Sequence, residues 1–257
     1  MLFSFVIPTY NRAKKVTRAI DSVLNQPDWA KSAEIIVVDD GSNDDTALEL
    51  QKYLGKDQIR LINHSENLGV AKAKNTGIIN ARNEFVVLLD SDDLLTENGL
   101  DYLTRLVVNH DSDMFFCGTQ ILNSTKLMYD PSFRGLKSYY NLLKTPVGEY
   151  LPVCKTHILK NNLLNNLRGY ESITWLTLAK KGCRIYFDGE PIRLYDNIGE
   201  DRLSNRFNGI KNSARMREGY SLYLKEFGAD LKYFNYPEYL KMKLKLMCYY
   251  LMSLSFK

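Results

Sequence analysis

Residues Glu84 to Leu95 read EFVVLLDSDDLL, and the fold turns on how that stretch is taken. Phe85 to Leu89 is an unbroken apolar run of strand length, the pattern of a strand buried on both faces. Asp90, Asp92 and Asp93 follow within four positions. Like charges crowded in this way repel unless a cation lies among them. Mg²⁺ and Mn²⁺ suit hard oxygen ligands, and their sites often join one or two carboxylates to substrate phosphates. The stretch therefore reads as a strand whose end holds a cation on Asp92, joined by Asp90, bridging a diphosphate. The alternative is that Asp90 to Asp93 caps the next helix, with Asp93 as the simple cap.

Upstream, strand and helix alternate. Phe3 to Ile7, Glu34 to Val38 and Ile59 to Ile62 are short apolar strands. Lys14 to Gln26 places Val16, Ala19, Ile20, Val23 and Leu24 at helical spacing. Ala47, Leu50 and Leu54 continue a second helical stripe after the capping run SNDDT, and Gly69 to Ile79 is a helix rich in small residues. Such alternation implies right-handed crossovers and a parallel sheet, in which ligands bind beyond the carboxyl ends of the strands. Pro8, Thr9 and Tyr10 follow the first strand, Asp39 and Asp40 the second, and Asp90 and Asp92 the fourth. Three strand ends thus turn polar groups to one rim. In VVDDGSNDDT, Gly41 permits a tight turn and Ser42 a cap. Asp39 reads as buried in backbone hydrogen bonds there, and Asp40 as an acceptor for a pyrimidine N–H or a ribose hydroxyl.

Composition narrows the class. The chain has 257 residues, 45 % hydrophobic and 25 % charged, with a formal charge of +4, so a sizeable core is available and no nucleic-acid signature stands out. Cys117, Cys154, Cys183 and Cys248 form no Cys-x-x-Cys pair, the expectation for free thiols in a reducing compartment. His64, His110 and His157 are not at ligand spacing. MLFSFVIPTYNR lacks a charged leader and a cleavage site and reads as the first strand, not a signal peptide. No apolar run reaches the roughly 20 residues needed to cross a bilayer.

After residue 110 the alternation fades into what read as irregular strands and loops over 111 to 168. Ser172 to Lys181 is a helix with Ile173, Leu176 and Ala179 on one side and Gly182 closing it. Arg184 to Phe187 is a strand and Lys211 to Phe227 a helix. In the last segment Leu240, Leu244, Met247, Leu251 and Leu254 recur at heptad-like spacing beside Lys241, Lys243 and Lys245. A basic amphipathic helix of this kind lies on an anionic membrane surface; the alternative is a helix packed on the domain with its lysines in solvent.

FVIPTYNR, EIIVVDDGSNDDT, NLGVAKAKNTGI and FVVLLDSDDLL, in that order, closely resemble family 2 of the inverting glycosyltransferases, of the type that builds bacterial surface polysaccharides. The likeness covers about the first 95 residues strongly and 145 to 205 more loosely. It implies an α/β GT-A fold, a mostly parallel Rossmann-like sheet flanked by helices. Residues 1–110 would form the nucleotide-sugar half, 111–210 the acceptor half of the same domain, and 211–257 a C-terminal helical extension. It implies a nucleotide-diphosphate sugar donor, UDP-linked, with Mn²⁺ or Mg²⁺ as cofactor. Pro8, Tyr10 and Asp40 match positions around base and ribose. Lys74 stands where the family often has Arg, facing the nucleotide or its phosphates, the alternative being a solvated helix residue. Asp90, Ser91 and Asp92 match the metal motif, with Asp92 the direct ligand.

An inverting transfer needs one carboxylate to take the acceptor's proton. RGYESITWLTLAKKG resembles the family segment that supplies it. The usual Glu-Asp pair is Glu171-Ser172 here, which leaves Glu171 as the base; its alternative is a helix-capping Glu. Family members often carry Tyr-Arg-x-His further on. LYDNIGEDRLSN has no His, so Arg202 is assigned to the diphosphate, with Glu200 and Asp201 in a solvated loop. The acceptor implied is a glycan hydroxyl on a lipid-linked oligosaccharide of an O-antigen or capsule type. The enzyme would then be cytoplasmic, peripheral at the inner membrane face through residues 236–257. A receiver domain explains Asp39 and Asp40 but not Asp90 to Asp93. A non-catalytic nucleotide-sugar- or glycan-binding protein of the same fold is the remaining alternative.

Overall fold

The computed structural model describes residues 2–145, 148–167, 169–196 and 212–255. β1 (Phe3–Thr9) is buried along its whole length between two parallel neighbours, β2 (Ala33–Asp39) and β4 (Phe85–Leu88). β3 (Ile59–Asn63) adds a parallel edge to β2. Apolar runs without alternation suit this position, since both faces of a parallel sheet are covered. The β1–β4 ladder ends at Val6 and Leu88, two residues short of Pro8, which has no N–H to donate.

Helices cover both faces. α1 (Ala13–Leu24) buries Val16, Ala19, Ile20 and Val23 on one side of the sheet, with α5 (Gly99–Asn109) beside it. Between them in the chain come α2 (Trp29–Ser32), α3 (Thr46–Leu50) and α4 (Val70–Asn80). α4 lies on the other face, against Val6. A Cβ on its Gly77 would come within 2.3 Å of Val6 Cγ1, so the small residues of that helix let it sit close to the strand. The stripe expected through Leu54 is corrected. α3 stops at Leu50, a single 3₁₀ turn follows, and Tyr53 is buried in place of Leu54, which is 65 % exposed. The Tyr53 hydroxyl donates to Asp21 at 2.7 Å, which turns the chain so that Leu54 faces water.

The second half is more regular than its sequence suggests. β6 (Met114–Ile121), β7 (Gly135–Lys137), β8 (Tyr150–Lys155) and β9 (Ile185–Tyr195) continue the same sheet, with α6 (Tyr139–Lys144) and α7 (Thr156–Lys160) between them. The described residues give a nine-stranded sheet of order β3-β2-β1-β4-β8-β6-β9-β5, with β7 on β9. β8 runs antiparallel between β4 and β6. β9 is far longer than Arg184 to Phe187, and Pro191 sits where its register with β6 shifts. Proline inside a strand is tolerated at such irregularities.

β5 is Asp93–Leu95, antiparallel to β9, and it corrects the helix-cap reading of Asp90 to Asp93. α5 begins four residues later, after Asn98. α8 (Glu171–Lys180) packs Ile173, Leu176 and Ala179 into the core. α9 (Ser213–Phe234) runs past Phe227, and α10 (Tyr236–Ser255) folds back along it through the single residue Asn235.

Candidate active site

Parallel strands deliver their carboxyl ends to one edge, and Thr9, Asp39 and Asn63 stand in register there. Gly41, at φ +74°, turns the chain after β2; a Cβ would meet the Glu66 backbone at 2.7 Å. Asp39 closes this turn by accepting from the Ser42 N–H at 3.0 Å, as expected. Asn11, in the left-handed region at φ 51°, ties the first loop to the second: its N–H donates to Ser42 Oγ and its side chain accepts from the Asn43 N–H. Tyr10 stands above this floor at 39 % exposed, and Pro8 is buried below it.

Asp40 is 2 % exposed. It accepts from the N–H groups of Leu68 at 3.0 Å and Gly69 at 2.7 Å, so it holds the loop that leads into α4. His64 Nδ1 lies 2.6 Å from the same carboxylate and His64 Nε2 2.9 Å from Thr76 Oγ1. A base or ribose hydroxyl reaching Asp40 would share oxygens already in use.

The rim after β4 is built differently. Asp92 forms an ion pair with Arg12. Lys74 Nζ lies 3.0 Å from Asp90 Oδ1 and 3.5 Å from Glu171 Oε1. Arg193 Nη1 lies 3.4 Å from Asp93 Oδ2, with Arg193 also donating to Thr119 Oγ1 at 2.9 Å. Each acid of the cluster thus faces its own side-chain cation. Ser91, between them, is buried.

The charges follow from this wiring. Burial pushes against the ionised form of Asp90, but Lys74, Arg193 and Arg12 outweigh it and hold its pKa below the usual carboxylate range. Burial and the neighbouring Asp90 raise Asp92 in spite of Arg12. Asp93 is pushed up to about 8 by burial first, then by Asp90 and Asp92, with Arg193 pulling the other way. Burial works against the charge on Lys74, yet Asp90 and Glu171 raise its pKa above the ordinary lysine value.

Glu171 is the first residue of α8, where the helix dipole favours an anion. It keeps 26 % of its side chain exposed. Lys74 is not a solvated helix residue: it is 7 % exposed and lies between Asp90 and Glu171. Arg202, Glu200 and Asp201 lie outside the described residues. Arg12, Arg193 and His64 carry contacts that the sequence did not single out. Arg12 stands inside FVIPTYNR, beside assigned residues, whereas Arg193 has no signal beyond a lone cation in an apolar strand.

No group of three His, Cys, Asp or Glu side chains gathers as a metal cage among the described residues. The donors present are the partly exposed Asp90 and Asp92 on one turn, backed by Asp93, whose two oxygens accept no hydrogen bond. Hard oxygens in that number suit a cation that completes its shell with phosphate oxygens, as Mg²⁺ does, once Arg12 releases Asp92.

The Glycosyl transferase family 2 model matches residues 4–160. A Campylobacter jejuni GalNAc(5)-diNAcBac-PP-undecaprenol beta-1,3-glucosyltransferase is 31 % identical over 84 % of this chain and 71 % of its own length. The putative teichuronic acid biosynthesis glycosyltransferase TuaG of Bacillus subtilis is 28 % identical over 82 % of this chain and 85 % of its own. Among solved structures, S. aureus TarS 1–349 in complex with UDP-GlcNAc superposes with a TM-score of 0.72 at 23 % identity, over 87 % of this chain and 67 % of that 1–349 chain. The mannosyltransferase PcManGT of Pyrobaculum calidifontis, in complex with GDP-Man and Mn²⁺, gives 0.63 at 19 % identity over 98 % of this chain and 74 % of its own. These structural likenesses confirm the GT-A fold.

Proposed function

The chain belongs to glycosyl transferase family 2, and from that premise we propose that it moves a sugar, with inversion, from a UDP-sugar to a glycan hydroxyl. The observation that carries the reading is Lys74. One ammonium within 3.5 Å of both Asp90 and Glu171 brings the donor rim and the acceptor segment into a single site.

In this reading Pro8, Tyr10 and Asp40 border the base and ribose, and Ser91 lies under the phosphates. Asp92, with Asp90, would hold Mn²⁺ or Mg²⁺, which when bound neutralises charge developing on the departing diphosphate. Lys74 and Arg12 are cations within the same rim, placed to meet phosphate oxygens when the acids change partners; Arg202 is assigned the same task. Glu171 takes the acceptor's proton. It stands at the first turn of α8, 3.5 Å from Lys74 Nζ. Stabilising the leaving group contributes more to the rate than the base does, because preorganised charge commonly outweighs general-base assistance.

The acceptor we infer is a lipid-linked oligosaccharide of a bacterial surface polymer, met at the cytoplasmic membrane face. The undecaprenol-linked acceptor named for the Campylobacter relative supports this, as does the surface-polymer assignment of TuaG. No helix among the described residues is long and apolar enough to cross a membrane.

A panel of UDP-, GDP- and dTDP-sugars with Mn²⁺, run with and without chelator, tests donor and metal together. Release of UDP from one UDP-sugar that stops with chelator is expected. UDP binding with no turnover on any sugar would make the chain a binding protein.

A further inference from the structure

Leu240, Leu244, Met247, Leu251 and Leu254 recur every three or four residues along α10, and each is between 44 % and 57 % exposed. The opposite side of α10 is the one that packs. Tyr249 stacks on Tyr220 of α9 at 5.6 Å, and Ser253 Oγ accepts from Arg217 at 3.1 Å. The stripe is therefore not part of the core, and a continuous apolar ridge of this length on a protein surface marks an interaction site. Beside it a groove of about 1170 Å³ opens between α10 and α9, lined by Leu240, Leu244, Met247 and Tyr250 with Lys225 and Lys243 at its edge.

The flanking charge is mostly positive, with Glu238 pairing Lys241 at 3.1 Å and Glu218 lining the groove on the α9 side. α10 carries Lys241, Lys243 and Lys245 against Glu238 alone. At 100° per residue Lys243 falls on one side of the ridge and Lys241 on the other. Long lysine stems that follow an apolar ridge and end in charge are suited to a boundary between hydrocarbon and anionic head groups. A second copy of the chain would bring the same lysines against one another, which argues against self-association.

We propose that the outer face of α10, with its groove against α9, docks on a bilayer bearing anionic phospholipid head groups. The helix lies in the interfacial plane, with Leu244, Met247 and Leu251 toward the acyl chains and the lysines at the phosphates. The hairpin is joined to the candidate site through Tyr170, the residue before Glu171. A Cβ on Gly219 of α9 would meet the Tyr170 ring at 2.1 Å, and the Tyr170 hydroxyl donates to the Met216 carbonyl at 3.2 Å. Docking thereby fixes the height of Glu171 above the membrane. That last consequence rests on the glycosyl-transfer reading; the docking itself does not.

The test is flotation of the full chain with phosphatidylcholine vesicles, alone or with roughly a third phosphatidylglycerol. We expect at least about tenfold more protein on the anionic vesicles, declining as salt is raised. Leu244→Glu with Leu251→Glu, both at exposed positions, should cut binding about tenfold while UDP binding stays intact. Lys241→Gln, Lys243→Gln and Lys245→Gln together should erase the preference for anionic lipid. No binding to either vesicle overturns the proposal, as does equal binding to both. A dimer by light scattering that Leu244→Glu dissociates, without vesicle binding, assigns the ridge to a second copy instead. Vesicle binding by a chain that transfers no sugar would leave docking standing and remove the enzymatic reading.

Discussion

Two strands flanking β1 end in acidic runs, and they are neutralised in different ways. After β2, Asp39 and Asp40 accept from the N–H groups of Ser42, Leu68 and Gly69, with His64 beside them. After β4, Asp90, Asp92 and Asp93 each face a side-chain cation, Lys74, Arg12 and Arg193. Backbone donors cannot leave without unfolding the loop they belong to. Side-chain cations on long stems can, and what replaces them can be a metal or a diphosphate. The first rim is a clamp that holds the loop leading into α4. The second is a set of ion pairs, of which Arg12–Asp92 is the more exposed and Arg193–Asp93 the buried end.

The largest effect expected from this contrast is on turnover. Asp92→Ala removes the exchangeable acid, and sugar transfer with Mn²⁺ should fall at least about a thousandfold, with little change in thermal midpoint. Glu171→Gln should lower kcat about a hundredfold or more while the UDP-sugar Kd stays near that of the parent. Steady-state kinetics and calorimetry measure both. A near-normal kcat in Glu171→Gln would move the base elsewhere.

Arg193→Met tests how the buried end of the second rim is balanced. The pKa of Asp93 stands at about 8 in the fold, above the value of about 3.9 for an unfolded chain. Its contribution to stability is therefore full below about pH 4 and is lost as pH rises through 8. Without the guanidinium the pKa rises further, so the variant loses more than the parent above pH 8. We expect a loss of about 1 kcal/mol at pH 6 and about 2 kcal/mol at pH 9 by urea unfolding. An equal loss at the two pH values would mean that Arg193 acts by packing alone.

Asp40→Ala breaks the clamp. It leaves the Leu68 and Gly69 N–H groups and the His64 ring without their acceptor, at a cost of about 2 kcal/mol in urea unfolding. UDP affinity should fall with it if the proposed nucleotide site lies against this loop. An unchanged midpoint with UDP binding lost would make Asp40 a nucleotide contact and no more.

The same contrast explains what could be read in advance. The parallel half was legible because each strand is an apolar run and each loop carries Gly, Asn or Asp at a fixed offset. Asp39 closing the Gly41 turn followed from local chemistry alone. Asp93 reads as a cap in the sequence because β5 exists only through its pairing with β9, about a hundred residues away. β6 to β9 were obscure for a similar reason, with Pro191 and the register shift interrupting the pattern. Arg12 and Arg193 give no sign in the sequence, because a cation's partner is set by tertiary folding and leaves no spacing there. Lys74 and Glu171 were each named, yet only the fold puts them 3.5 Å apart.

The smallest effect expected lies one step behind the clamp. Thr76 on α4 touches His64 Nε2, and His64 in turn meets Asp40. Thr76→Val keeps the shape and removes only the hydroxyl, leaving one nitrogen of a ring that is 11 % exposed without a protein partner. A loss of about 1 kcal/mol is expected, with transfer rates unchanged, because the Leu68 and Gly69 N–H groups still fix Asp40. A larger fall in UDP affinity than in stability would show that His64 aims Asp40 at the nucleotide. The first rim would then share the exchangeable character of the second.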